Sequence, residues 1–403
     1  MTTLASRFGR ALSDELGGDF AAHQVGNEVV FKHLDPALLE ECFSWEGLNE
    51  ILSRGSAEPA EFLLYADGRA LSEHRYMVTR GGRRVFDLSK MFALMRSGAS
   101  LIIDSLDRIH PGVRVATDDI MRITGENSAC NLFVTFDDAQ AFPSHFDEVD
   151  TFVVQVLGTK RWQIHGPSEE FPLPEYGDSD PVNCPESVLF ERTLVPGDVI
   201  HVPRGWWHTV RGGGETSLHL TFTFTRRTGY DWLRWVTRQA LSRVEIRGSL
   251  DRAGTPEAQQ AQAERILEVF LAEAKSLPLG EFFAAERRGS GGRDLASLPW
   301  NVMKARPSGD TVVELVPVLP PVVQVEADQV VVTTADQSFA LPAAYLAFIE
   351  ILIEERRITV AELADRTGSP VGSVSALVSA LLQSRLVTVS GERASRTERE
   401  PAR

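Results

Sequence analysis

Between residues 100 and 225 the chain breaks into short β-rich runs, and this spacing limits the fold more than any other feature. The runs are LIIDSL, NLFVTF, TFVVQVLG, KRWQIHG, SVLFERTLV, DVIHVP, WWHTV and SLHLTFTF. Turn signals separate many of them, among them Gly158-Thr159, Pro196-Gly197-Asp198 and Arg211 with three glycines after it. Regularly spaced short strands with such turns specify a sandwich or a barrel. The flanks read differently. DPALLEECFSWEGLNEILSRG has apolar residues at helical spacing and a glycine stop, so it predicts one or two helices. VFDLSKMFALMRSG predicts another, with Asp87 as its N-cap and Gly98 at its end.

From 229 to about 287 the chain turns helical again, in YDWLRWVTRQALSRVEI and PEAQQAQAERILEVFLAEAKSL. GSGGRD, at 289–294, reads as flexible punctuation. The last region alternates in VVQVEADQVVVTT, shows helical patterns at 341–355, 359–367 and 371–385, and ends in LVTVSG. Helix, helix–turn–helix and a β-wing make a winged-helix-like module. The polar tail 391–403 reads as disordered.

Length and charge narrow the function. A chain of 403 residues suits two or three domains. The formal net charge of -15 argues against nucleic acid or an anionic membrane surface as partner. The segment SPVGSVSALVSALLQSRL carries a single arginine, whereas a DNA-reading helix needs positive excess. No apolar run of about 18 residues suggests a membrane span, and MTTLASRFGRALSDELGGDF lacks a leader's apolar core. Cys42, Cys130 and Cys184 stand far apart with no CxxC, which predicts core thiols in a reducing cytoplasm rather than zinc or disulfides.

The chemistry starts at PSHFDEVD, residues 143–150. In an extended strand, positions i and i+2 project from one face, so His145 and Asp147 converge. A metal needs a third ligand. VPGDVIHVPRGWWHTV supplies His208 on a strand after the Pro203–Gly205 turn, and His201 ahead of that turn is the competing candidate. Two imidazoles and one carboxylate form a facial triad that suits Fe(II), leaving positions open for substrate and oxygen. Lys160 opens the strand KRWQI after a Gly-Thr turn. Pointing inward, it needs an anion such as a dicarboxylate; pointing outward, it is a solvated lysine. Spacing leaves both open. The pair Trp206 and Trp207 mimics an aromatic cage but reads as core.

With these residues in place, CNLFVTFDDAQAFPSHFDEVDTFVVQVLGTKRWQIHGP, PGDVIHVPRGWWHTV and SLHLTF resemble the JmjC/cupin-4 family of 2-oxoglutarate oxygenases. Within it, the ribosomal-oxygenase (protein hydroxylase) branch is the most similar. The resemblance implies an α+β fold: a double-stranded β-helix (JmjC/cupin jelly-roll) core, a helical dimerisation region and a C-terminal winged-helix-like domain. The implied domains are 1–228, 229–305 and 306–390, followed by the tail. It implies that His145, Asp147 and His208 bind Fe(II), and that Lys160 pairs with the distal carboxylate of 2-oxoglutarate. Asn131 would face co-substrate and substrate, and Ser217 and Thr221 would line the same pocket. Gln155 faces either way. Three departures concern the substrate side: the loop TFDDAQAFPS, Phe133 and His201.

The implied activity consumes O2 and 2-oxoglutarate, releases succinate and CO2, and hydroxylates an amino-acid side chain in a protein or peptide. A homodimer follows from the same resemblance. Hydroxylation of a small-molecule or peptide natural product, and N-demethylation, use the same iron chemistry. A cupin enzyme without 2-oxoglutarate would give Lys160 no purpose. A metabolite-sensing regulator acting through the winged helix is the non-enzyme alternative.

Overall fold

The protein is described from a computed structural model, which covers residues 6–17, 20, 28–54, 62–173, 180–288, 297–298, 300–302, 306–334 and 337–390. GSGGRD and the tail 391–403 lie outside the described residues. The chain divides after Arg226 into two compact units.

The first unit holds thirteen described strands in chain order: β1 (Val30–His33), β2 (Phe62–Ala66), β3 (Arg69–Ala70), β4 (Met77–Arg80), β5 (Arg83–Phe86), β6 (Ser100–Ile103), β7 (Ser128–Thr135), β8 (Asp150–Leu157), β9 (Lys160–Pro167), β10 (Phe190–Leu194), β11 (Asp198–Val202), β12 (Trp206–Gly212) and β13 (Ser217–Phe224). Eight of them form one antiparallel sheet in the order β1-β11-β8-β13-β7-β6-β2-β3. A second sheet runs β10-β9-β12. The alternation legible in the sequence becomes two faces. Leu132, Val134, Leu218, Leu220 and Phe222 turn to a buried cluster with the N-terminal helices. Asn131, Phe133, His219 and Thr221 turn the other way, into a cavity between the sheets.

The helices start where their capping residues stand. DPALLEECFSWEGLNEIL is two helices, Pro36–Cys42 and Trp45–Ser53, capped by the Asp35 carboxylate and the Ser44 hydroxyl. Asp87 caps Leu88–Arg96 as its position predicts, its carboxylate accepting from the Lys90 N–H. One helix lies inside the region read as all strand: Pro111–Thr124. Its first helical residue is proline, the His110 ring accepts from the Val113 N–H, and Gly125 ends it in the left-handed region at φ 74°. Its apolar face, Val113, Ala116, Ile120 and Met121, is buried.

The second unit begins with helices Gly229–Ala240, Val244–Arg247, Pro256–Ser276 and Leu279–Arg288. Thr228 and Asp231 form a capping box at the first. Six strands follow: β14 (Val312–Leu315), β15 (Val322–Glu326), β16 (Gln329–Thr333), β17 (Ser338–Pro342), β18 (Arg357–Thr359) and β19 (Val387–Ser390). They make two three-stranded sheets, β18-β14-β19 and β15-β16-β17. Helices Leu346–Glu355, Val360–Thr367 and Val371–Gln383 share a core with β14 and β19. No helix among the described residues is long and apolar enough to cross a membrane.

Candidate metal centre

His145 does not lie on a strand. It forms an isolated antiparallel bridge with His208 on β12. The His145 N–H donates to the His208 carbonyl at 3.2 Å, and the His208 N–H donates to the His145 carbonyl at 2.8 Å. The convergence expected from i and i+2 spacing is therefore built by a cross-chain pair, which sets the two rings 4.4 Å apart. Asp147 is held from behind. The Gly205 N–H donates to its carbonyl at 2.8 Å. Gly205 has φ 82°, and a Cβ there would meet Pro172 at 2.5 Å, so the PRG turn needs glycine.

The ligand atoms of His145, Asp147 and His208 lie within 4.8 Å of one another. The tautomers follow from the outer partners. His145 Nδ1 lies 2.9 Å from the Pro143 carbonyl and His208 Nδ1 lies 3.0 Å from the Trp206 carbonyl. A carbonyl only accepts, so both Nδ1 atoms carry the proton and both Nε2 lone pairs are free. Those Nε2 atoms face Asp147, at 3.8 Å and 3.9 Å from its two oxygens. Burial pushes His208 down to about 4, with His145 adding to the effect, so its imidazole is neutral at neutral pH. Neutral imidazole is the form that binds a metal. A hydroxyl chain braces the pair: Ser144 and Thr209 oxygens lie 2.6 Å apart, and Thr209 reaches His165 Nε2 at 3.0 Å.

The triad opens into a cavity of about 310 Å³. Lys160 is inside it, 4% exposed. Its Nζ sits 6.0 Å from the centre of the Phe133 ring. Among the described residues no carboxylate pairs with it, and burial pulls it down to about 7. The inward alternative of the two is the one observed. His219, missed in the sequence, lies beside it. It stacks on Phe133 at 4.8 Å, and its Nδ1 is buried without a partner among the described residues. Burial, with Lys160 nearby, holds it well below the usual histidine range. Its period-2 position between Ser217 and Thr221 was the signal.

The other expected residues divide. Asn131 and Thr221 line the cavity, paired across β7 and β13. Asn131 Oδ1 accepts from the Ser105 N–H at 3.0 Å. Ser217 is inward but sealed from the cavity lining, its hydroxyl accepting from Gln155 Nε2 at 2.9 Å. Gln155 faces the same way and is fully buried. His201 lies apart from the triad: it faces Asp150 at 3.3 Å among Phe20, Phe152 and Phe224, outside the cavity lining. Its departure from the family pattern therefore lies away from the substrate side, whereas Phe133 and the loop residues Ala139, Ala141 and Phe142 do line the cavity. Trp207 is 0% exposed and donates to Ser168, as core packing requires.

Comparison with known proteins bears out the resemblance. Residues 108–232, which contain the triad, match the family model described as the JmjC domain. Ribosomal oxygenase 1 of Homo sapiens is 33% identical over 235 residues, covering 56% of this chain and 36% of that protein. The Rattus norvegicus protein of the same name is 29% identical over 237 residues, 56% and 38%. The bifunctional lysine-specific demethylase and histidyl-hydroxylase NO66 of Drosophila pseudoobscura pseudoobscura is 33% identical over 101 residues, 25% and 11%. The chain thus spans less than two fifths of the length of these relatives. Among solved structures, the Escherichia coli ribosomal oxygenase YcfD superposes with a TM-score of 0.54 at 15% identity, over 90% of this chain and 95% of that one. The same protein in complex with cobalt and 2-oxoglutarate gives 0.51 at 15% identity, over 97% and 100%. That likeness, with the JmjC match over residues 108–232, establishes the JmjC/cupin jelly-roll fold with mixed helix and strand.

Proposed function

We propose that this chain, which carries a JmjC domain, is an Fe(II)- and 2-oxoglutarate-dependent oxygenase that hydroxylates an amino-acid side chain in a protein or peptide. One observation carries the reading: two imidazoles and a carboxylate converge on the same cavity that buries an uncompensated lysine. The donor set fits iron, because both histidines have their Nδ1 protons committed and their Nε2 lone pairs free. His145, Asp147 and His208 would hold the metal, and Lys160 would receive the distal carboxylate of 2-oxoglutarate. His219 would face the same carboxylate. Bound iron, 2-oxoglutarate and O2 supply the oxidation, with succinate and CO2 as co-products. The protein's own task is geometric: Trp162, stacked on His208 at 5.4 Å, and Phe133 exclude water around the co-substrate. Asn131 and Thr221 orient what enters beside it.

Protein or peptide substrates are supported by the printed activities of the relatives, a histidyl-hydroxylase and ribosomal oxygenases. The same reading takes 229–305 as a dimerisation region and 306–390 as a winged-helix-like module. The order of helices 346–355, 360–367 and 371–383 followed by β19 supports the module. Three free cysteines support a reducing cytoplasm.

Support for the homodimer is specific. The 21-residue helix Pro256–Ser276 has no buried residue, although a helix owes most of its stability to a covered face. Leu267 is 57% exposed and Leu271, one turn on, is 53% exposed. A double change of both leucines to glutamate is expected to shift the protein from dimer to monomer by light scattering. A wild type that is already monomeric overturns this arrangement.

Anaerobic titration tests the enzyme reading. Fe(II) and then 2-oxoglutarate are added to wild type while the visible spectrum is recorded. A charge-transfer band requiring both additions is the expected result. Absence of iron binding and of any band rejects the reading and favours a regulator or scaffold.

A further inference from the structure

A strongly basic stretch of this acidic chain starts at the wall of the cavity. Residues 69–84, RALSEHRYMVTRGGRR, hold five arginines against one glutamate, whereas the whole chain carries a net charge of -15. β2 sets where the stretch begins. Phe62 and Leu64 turn to the buried cluster, and Leu63 and Tyr65 turn to the cavity. The Tyr65 ring lies 4.5 Å from the Phe142 ring. Asp67 and Gly68, at φ 51° and 73°, then reverse the chain, so that Arg69 pairs with Ala66. That turn rests on the loop before His145: a Cβ on Gly68 would stand 3.2 Å from the Pro143 ring. The Pro143 carbonyl is the group that fixes the His145 ring. Arg69 therefore leaves the turn beside the cavity wall.

From there the charge runs along the sheet edge. β3 is the last strand of the eight-stranded sheet, and the Leu71 N–H prolongs its pairing by donating to the Leu64 carbonyl at 2.7 Å. Arg75 follows in a short helical turn. β4 and β5 then form a hairpin closed by Gly81 and Gly82, at φ 57° and 77°. Arg80 and Arg83 pair directly across it. Like charges so placed are unfavourable, and an anion between them offsets the repulsion. All five arginines are exposed. Glu73 engages Arg84, but among the described residues Arg69, Arg75, Arg80 and Arg83 have no ion pair and no side-chain hydrogen bond. The aromatic residues nearby point inward: Tyr76 is 1% exposed and Phe86 5%. The strip thus lacks the stacking platforms that a single-stranded nucleic acid uses, and the negative charge of the rest of the chain repels a long polyanion. Carboxylates on a polypeptide match a guanidinium as well as phosphates do.

We propose that this arginine strip docks an acidic segment of the substrate polypeptide, flanking the residue that enters the cavity. This rests on the oxygenase reading and adds to it the charge of the substrate's flank. Exposed ion pairs are individually weak, so the strip selects a run of acids rather than a single one. The flank is held outside by charge, and the cavity grips only the reacting residue.

The test compares charge at constant shape. The probe is a fluorescent peptide of alternating glutamate and glycine, about twelve residues long, which spans about 40 Å when extended. A peptide with glutamine for glutamate and an oligouridylate of the same length are its counterparts. Anisotropy at low salt reads binding. Wild type is expected to hold the glutamate peptide at least about tenfold more tightly than the glutamine peptide, through several weak contacts together. High salt should remove most of that preference. Combining Arg69→Gln, Arg75→Gln, Arg80→Gln and Arg83→Gln should bring the ratio to about one, and lysine at the same four positions should keep part of it. Location has its own readout: a fluorine label on the peptide should relax faster with Mn(II) than with Zn(II) in the triad. Thermal melting and the iron/2-oxoglutarate band of each variant report that the cavity is intact. Equal binding of the two peptides in wild type, including no binding of either, overturns the proposal. So does a glutamine variant that keeps the ratio, or a label that Mn(II) leaves unchanged. Tighter binding of the oligouridylate would assign the strip to nucleic acid instead, and dissociation of the protein by the glutamine changes would assign it to a second copy. In each case a wild-type band leaves the oxygenase reading standing, whereas loss of the wild-type band removes the reading beneath the proposal.

Discussion

His208→Ala is expected to abolish the iron/2-oxoglutarate band and to lower turnover by more than about a hundredfold, since losing even an outer-shell partner of a metal ligand costs 10–100-fold. The reason is local. His208 is 3% exposed and bonded through its backbone to the facing His145. Alanine keeps those backbone bonds, so His145 and Asp147 stay opposed and only the third donor is lost. The informative contrast is His201→Ala. His201 is as buried, at 1%, but it faces Asp150, which Arg226 also contacts at 2.7 Å. Removing it empties space among three phenylalanines and takes a partner from a buried carboxylate. That variant is expected to melt several degrees lower yet still form the band at low temperature. The opposite pattern, with the band surviving in His208→Ala and vanishing in His201→Ala, would reverse the assignment of the third ligand.

Much of this was legible because strands have a period of two. NLFVTF and SLHLTFTF alternate, and β7 and β13 send Asn131 and Thr221 inward as the alternation requires. The HxD spacing pointed to two side chains that do converge with His208, although its premise, an extended strand, is replaced by a single bridge. What alternation does not contain is register between strands. β12 slips against β9 between Trp207 and His208, and β13 slips against β8 between Leu218 and His219. Such bulges decide which inward residues reach a shared cavity and which are sealed. Ser217 and His219 are both inward, yet Gln155 closes over the first and leaves the second beside Lys160. The helix Pro111–Thr124 escaped because Thr117, Asp118 and Asp119 interrupt its apolar residues, although its proline start and glycine stop were present.

Lys160→Met is expected to stabilise the free protein while raising the 2-oxoglutarate needed for half-saturation by about a hundredfold or more. Breaking a buried charge pair costs about 3–5 kcal/mol, and 1.4 kcal/mol is tenfold. Methionine has nearly the same volume but carries no charge to bury. The pH dependence gives a second signature. Burial lowers Lys160 from 10.5 to about 7 in the free protein. Between those values the unfolded chain binds a proton that the folded chain has released. Stability of the free protein should therefore rise with pH across that window, by an amount on the order of 5 kcal/mol for a fully buried lysine. Saturating 2-oxoglutarate supplies the missing anion, keeps the ammonium charged and should flatten the slope. Lys160→Met should flatten it without ligand. Thermal melting from pH 7 to 10, with and without 2-oxoglutarate, reads all three. A variant that loses stability, or one that binds 2-oxoglutarate as wild type does, would mean that the buried ammonium has a partner in the protein itself. The cavity would then have no reason to admit a dicarboxylate.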